Sequence, residues 1–214
     1  MKHVKRIIND GWLAVLIVLA SILIDQLIKI WVKTSMTLHE SIRITDWFFI
    51  SFIENNGMAY GMQIGSKLAL SVFRIAAICL LAYFVWLQVR NKARTGYIVC
   101  LSMVLAGAAG NLIDCLFYGL MFTESSPYYV SYIVPFGTGY APFLMGKVVD
   151  MFYFPLFEMD WPLWMPFVGG EHFIFFSPVF NFADACISVS VVWLLLFYRR
   201  EISAIGHSET HEEE

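Results

Sequence analysis

Four stretches of the chain, 12–32, 68–89, 97–117 and 179–198, are apolar for about the 20 residues a helix needs to cross a bilayer core of about 30 Å. Each predicts a transmembrane helix. Basic clusters mark one end of every stretch: Lys2, Lys5 and Arg6, then Arg90, Lys92 and Arg94, then Arg199 and Arg200. Cytoplasmic flanks carry the excess of Lys and Arg, so both termini are expected inside and segments 33–67 and 118–178 outside. A cleaved signal peptide is a poorer reading of the first stretch. It runs straight into Asp25 and Lys29 without a small-x-small site, and removing it would leave an odd number of spans.

Between the spans the pattern changes. Residues 41–53 alternate polar and apolar positions and are rich in β-branched and aromatic residues, which predicts a short strand or hairpin. Segment 118–178 mixes prolines with many Tyr, Phe and Trp, a composition suited to lipid headgroups. The expected fold is an all-α polytopic membrane protein: four transmembrane helices, a small extracytoplasmic β-rich segment and an extended outer loop, forming a single integral membrane domain over 1–214. No internal repeat is evident, which argues against an inverted-repeat transporter.

Composition agrees. Of 214 residues, 59% are hydrophobic and 14% charged, and mean hydropathy is +0.67, which excludes a soluble globule, a disordered chain and a basic nucleic-acid binder. The net charge of -3 is a property of the tail, since residues after Gly206 hold four of the 17 acids. Cys79, Cys100, Cys115 and Cys186 lie in apolar stretches at irregular spacing and read as small buried hydrophobes, neither a disulfide framework nor a metal site.

Ionisable groups inside spans cost about 2.5–3.5 kcal/mol each on insertion scales, so each needs a reason. Counted from the cytoplasmic end, Asp25 and Lys29 lie roughly 20 and 25 Å in, Arg74 roughly 24 Å, Asp114 roughly 26 Å and Asp184 roughly 21 Å. Their common depth suggests one polar constellation near the outer face. Asp25 and Lys29 share a helix face and can pair, and Arg74 can reach the outer headgroups. Asp114 follows small residues at 106–110, which let another helix approach, and Asn111 offers an amide. Asp184 shares a face with Asn181, and Asp150 sits in a short apolar run. Asn55, Asn56 and Gly57 form a turn signal whose amide and backbone groups could hold an extended peptide. Two carboxyls in a low-dielectric site share a proton, as in aspartic hydrolysis. Residues alone leave an aspartic hydrolase, a proton or ion pathway and structural polar contacts all open, and Asp114 stands level with Asp150.

Five ordered strings resemble those of the bacterial lipoprotein signal peptidases (signal peptidase II). They are Asp25-Gln-Leu-Ile-Lys29, Asn55-Asn-Gly-Met-Ala-Tyr60, Gly110-Asn-Leu-Ile-Asp114, Val148-Val-Asp150 and Phe180-Asn-Phe-Ala-Asp184. The resemblance implies an intramembrane aspartic endopeptidase that cuts prolipoproteins before their diacylglyceryl-modified cysteine. It assigns catalysis to Asp150 and Asp184, with Asn55, Gly57, Asn111, Asp114, Asn181, Asp25, Lys29 and Arg74 binding or supporting. It further implies no cofactor or metal, membrane lipids as surroundings, no nucleic acid, a monomer in the bacterial cytoplasmic (inner) membrane, and an active site near the extracytoplasmic face. The chain departs from the family pattern where Cys115 replaces the usual Arg, with Lys147 or Arg74 as candidate substitutes, and where Met151 replaces Phe. Segments 118–145 and 155–176 read as insertions. A small ion-coupled transporter or channel is the competing reading. The acids gather at one depth rather than across the bilayer, which favours an enzyme open to one side.

Overall fold

A computed structural model describes residues 2–56 and 67–207. The order of elements is α1 (Lys2–Ser35), β1 (Ser41–Arg43), β2 (Phe49–Asn55), α2 (Lys67–Arg90), α3 (Thr95–Ile113), a π-helical turn (Asp114–Tyr118), α4 (Gly119–Met121), β3 (Val148–Tyr153), β4 (Phe157–Asp160), β5 (His172–Phe175), α5 (Phe182–Phe197) and α6 (Arg199–His207). Three helical stretches, Ile7–Ser35, Lys67–Arg90 and Thr95–Met121, are long and apolar enough to cross a membrane, and Phe182–Phe197 is a shorter apolar helix. The chain divides into two compact units: residues 1–25, 70–112 and 183–214, and residues 26–69 and 113–182.

In the first unit, α2 buries only Ser71, Val85 and Val89, and leaves Phe73, Leu80 and Tyr83 exposed. On α1, Trp12, Leu16, Leu19 and Leu23 are likewise exposed. Apolar faces of this extent are unfavourable against water and suit contact with lipid tails. Cys79 is exposed on α2, whereas Cys100, Cys115 and Cys186 are buried. The expectation of four buried thiols therefore fails at Cys79, because an apolar surroundings in sequence serves a lipid-facing position as well as a core one.

α3 is the most enclosed of the three long helices, and its small residues explain why. A Cβ on Gly107 would collide with the Ala183 carbonyl and lie 2.7 Å from Ile187 Cγ1, and one on Gly110 would lie 2.7 Å from Asp25 Oδ2. Glycine thus lets α3 touch α5 nearly backbone to backbone at Gly107 and admits the Asp25 side chain of α1 at Gly110, the close approach that the 106–110 pattern implied. The remaining core of this unit gathers Ala14, Val85, Val89, Tyr97, Ile98, Leu101, Leu194 and Tyr198.

The second unit is organised by sheet. β1, β2 and β3 form an antiparallel sheet in that order, so the hairpin expected over 41–53 is present and extends to Asn55. Ile50 pairs with Phe152, but Ile53 pairs with Asp150, so β2 carries one more residue than β3 over this stretch. Such a bulge bends the strand and redirects side chains beside it. On its other side β3 bonds to the segment at Phe180, with Phe152 N–H donating to Phe180 C=O at 2.7 Å and Phe180 N–H returning to Phe152 C=O at 3.0 Å. Phe48, Phe154 and Phe180 stack beside this join at centroid spacings of 4.7 and 5.6 Å.

The inserted segment 118–145 is part of this unit's core. Phe122 is fully buried with Phe52, Val149 and Met151, and Leu38 N–H donates to Ser126 C=O at 2.9 Å. Segment 155–176 forms a second antiparallel hairpin, β4 with β5, a feature absent from the sequence expectation. Its ends carry His172 between Asp160 (2.8 Å) and Glu158 (3.6 Å); the Asp160 hydrogen bond comes first among the causes that raise the imidazole's pKa.

Gly107→Val should cost on the order of 3 kcal/mol, because backbone lies where its Cβ would go. Gly11→Ala should be neutral, since its Cβ would meet Val89 at an ordinary 3.7 Å. Thermal unfolding of the two variants in one detergent separates these outcomes.

Candidate functional site

Each unit holds part of the predicted residue set. In the first, α5 begins at Phe182, and its opening amides lack partners within the helix. Asp25 Oδ1, from α1, accepts the Ala183 N–H at 3.0 Å. A fully buried carboxylate from another helix therefore serves as an anionic cap, favoured by the positive end of the helix dipole. Asp184 lies in the same first turn, half-buried, and its Oδ1 accepts the Asn111 Nδ2–H at 2.8 Å. The Gly110-Asn-Leu-Ile string thus does two things within one turn: the glycine admits Asp25, and the asparagine holds Asp184. Arg74 lies half-buried on α2.

In the second unit, Asp114 opens the π-helical turn and is fully buried. Its Oδ2 takes the Lys29 ammonium at 2.8 Å, with neither side chain exposed, and its Oδ1 takes the Gln26 amide at 2.9 Å. Gln26 also accepts the Tyr118 hydroxyl at 3.1 Å. The Val149 N–H points to Asp114 Oδ2 at 3.3 Å, which ties β3 to the turn.

Asp150 follows in β3, 4% exposed, and its Oδ1 accepts the Asn181 Nδ2–H at 2.7 Å. Asn181 reaches it because the preceding residue, Phe180, is bonded to the edge of β3. Asp150 and Asp184 share one motif of support: a carboxylate oxygen fixed by an asparagine amide. Asn55 ends β2 opposite Val148, and Gly57 lies outside the described residues. No group of three or more His, Cys, Asp or Glu among the described residues is arranged to hold a metal ion.

A second buried ion cluster adjoins this sheet and was not foreseen. Lys33, fully buried at the end of α1, donates to Glu54 Oε1 at 2.5 Å and to Ser125 Oγ at 2.7 Å. Its ammonium is enclosed by the rings of Tyr140 (5.1 Å), Phe122 (5.4 Å) and Phe52 (6.0 Å), an aromatic cage of the kind that stabilises a desolvated cation. Lys147 approaches Glu54 Oε2 at 3.2 Å and Glu124 at 3.8 Å. Lys147, proposed above as a replacement for the missing Arg, is thus engaged with Glu54 and Glu124, while Cys115 fills an enclosed position. The sequence signal for this cluster was the repeat Asp25, Lys29, Lys33 at four-residue spacing, which places three ionisable groups on one helix face. Burial alone would raise the Glu54 carboxyl, but Lys33, the hydrogen bonds from Lys33 and Ser125, and Lys147 together hold it below the ordinary 4.5.

Apolar helices that carry a fully buried Lys29–Asp114 pair, with Asp150 and Asp184 each held by an asparagine amide, define a polytopic membrane protein with built polar sites rather than a lipid-facing scaffold. A family model described as signal peptidase (SPase) II matches residues 17–199. A lipoprotein signal peptidase of Porphyromonas gingivalis is 49% identical over 94% of this chain and 88% of its own length, and one of Amoebophilus asiaticus is 32% identical over 87% and 77%. A solved bacterial membrane enzyme superposes with a TM-score of 0.58 at 21% identity, covering 94% of this chain and 93% of its own, a likeness of fold. The chain belongs to the signal peptidase II family, and it is a multi-pass membrane protein.

Two variants test the buried charges. Lys29→Met leaves Asp114 buried without its cation and should cost about 3–5 kcal/mol, read as a shift in denaturant-induced unfolding in detergent. Glu54 has a folded pKa below its unfolded one, so its contribution is complete above the ordinary 4.5 and is lost as pH falls through the lower folded value. Stability against pH should therefore drop on the acid side, and Glu54→Gln should flatten that drop.

Proposed function

We propose that this protein removes signal peptides from prolipoproteins as an aspartic endopeptidase, cutting before the diacylglyceryl-modified cysteine, with Asp150 and Asp184 as its catalytic carboxyls. The observation that carries this reading is the match to the signal peptidase II family along nearly the whole chain. The paired support of each aspartate by an asparagine, Asn181 on Asp150 and Asn111 on Asp184, agrees with it.

In this mechanism the two carboxyls hold one proton between them, because two negative charges in a low-dielectric site are costly. The ionised member takes a proton from a water as that water attacks the scissile carbonyl. The protonated member hydrogen-bonds the carbonyl oxygen and supports the negative charge that develops there. Collapse of the tetrahedral intermediate passes a proton to the leaving amine. Asn111 and Asn181 fix the carboxyl rotamers, and Asp25, Lys29 and Asp114 fix the backbone that bears them. Asn55 and Gly57 hold the extended peptide, and Arg74 lies toward the substrate's headgroup side.

Four spans, including α5, cross the bacterial inner membrane in this reading, with both termini cytoplasmic and the whole chain acting as one monomeric membrane domain. The site opens toward the extracytoplasmic face, where water can reach a peptide whose lipid stays in the bilayer. Aromatic residues of 118–178 rest among the headgroups. A transporter or channel finds no support in the family match.

Asp150→Asn and Asp184→Asn should each lower cleavage of a lipidated prolipoprotein by a factor on the order of 10²–10⁴ or more, while purified protein keeps its thermal transition. Near-normal cleavage by either variant would overturn the assignment, and ion flux in liposomes without cleavage would overturn the peptidase.

A further inference from the structure

A cavity of about 630 Å³ opens on the first unit, well away in sequence from the supported aspartates. Trp12, Val15 and Leu19 of α1 and Ala82, Trp86 and Arg90 of α2 line it. Its shape has a chemical direction. On α1 it runs from Ile7 to Leu19, about 18 Å of helix at 1.5 Å per residue. That length is close to one leaflet of a hydrocarbon core about 30 Å thick. Among the described residues that line it, all but one are apolar or glycine, and the exception, Arg90, stands at one end.

That cation is held in place. The Arg90 guanidinium lies 5.0 Å from the centre of the Trp86 ring, and Trp86 stacks in turn on Tyr83 at 5.7 Å. A guanidinium over an indole face is attracted by the ring and keeps a fork of five N–H donors that matches phosphate oxygens. Asp10, which precedes the lining residue Gly11, is buried and accepts the Thr95 hydroxyl of α3 at 3.2 Å. Lys92 follows Arg90 by two residues and adds positive charge at the same end.

A one-leaflet apolar groove with a guanidinium at its interfacial end is complementary to one molecule class. We infer that this groove binds a single anionic phospholipid, with an acyl chain along α1 and α2 and its phosphate on Arg90. A peptide helix would find no polar partners along the groove, and a zwitterionic lipid would gain less from the basic end. The lipid would fill the space between two helices that otherwise share few buried residues, so it serves as packing that the chain itself does not supply.

The test uses the whole purified protein and does not depend on its peptidase activity. The protein is equilibrated in detergent with equal amounts of phosphatidylglycerol and phosphatidylethanolamine, and retained lipid is counted by native mass spectrometry. One phosphatidylglycerol should remain bound in preference. Arg90→Gln should lower the ratio of phosphatidylglycerol to phosphatidylethanolamine about fivefold, the effect of one basic residue at an anionic surface. Ala82→Phe fills the groove and should lower retention of both lipids. Both positions are exposed, and thermal unfolding in the same detergent checks that each variant is folded. Retention of the two lipids in the proportion supplied, or variants that keep the native ratio and occupancy, would overturn the site.

Discussion

Asp114 and Lys29 meet at 2.8 Å with no exposed surface on either side chain, and much of the second unit is arranged around keeping them satisfied. Two such charges removed from water cost several kcal/mol apiece unless their remaining hydrogen-bonding capacity is met. Gln26 meets one oxygen of Asp114, and the Val149 amide meets the other. Supplying those partners brings the later turns of α1, the π-helical turn and the start of β3 into contact. Gly146 follows from the same need, because a Cβ there would run into the Asp114 carbonyl as β3 approaches. With Val149 fixed by its amide, the next residue on the strand must present its side chain to the opposite face. The direction of Asp150 is therefore set by a hydrogen bond to its neighbour.

The cluster at Lys33 extends this principle to a part of the chain that looked dispensable. Ser125 and Lys147, at either end of a long irregular stretch, both reach Glu54 on β2. The segment between them is thereby bound to the strand that pairs with β3, and Phe122, just before it, and Tyr140, within it, pack into the same core. An insertion relative to the family pattern has become a structural wall of the sheet. Removing it would leave Lys33 buried with fewer partners, a greater cost than the loss of a surface loop.

Three of the four expected spans, the strand or hairpin over 41–53 and the close approach at Gly107 and Gly110 were legible in the sequence because each has a local signature: length, alternation and small side chains. Lys33 and Glu54 were not, since a lysine at a span's end ordinarily reaches for headgroups, and its acidic partner is 21 residues away. The β4–β5 hairpin was hidden for a different reason. Each strand offers only four residues of pattern, amid prolines and aromatics that fit an interfacial loop equally well. Cys79 shows the limit of hydropathy itself, which does not distinguish a core from a lipid face. Asn111 was expected to offer its amide across the bundle and Asn181 to share a face with Asp184, and the two cases differ. Asn111 bonds Asp184 from another helix, and Asn181, three residues before Asp184, bonds Asp150 instead.

α5 has 16 residues, about 24 Å of helix, whereas a bilayer core is about 30 Å thick. A helix that short in a membrane creates a hydrophobic mismatch, relieved by thinning the lipid around it at a cost of fractions of a kcal/mol per Å. Asp184 stands in its first turn, so the dimple would form at the carboxyl proposed to take part in hydrolysis. A helix cut short can bring water to a half-buried carboxyl by deforming the lipid, without any channel through the protein.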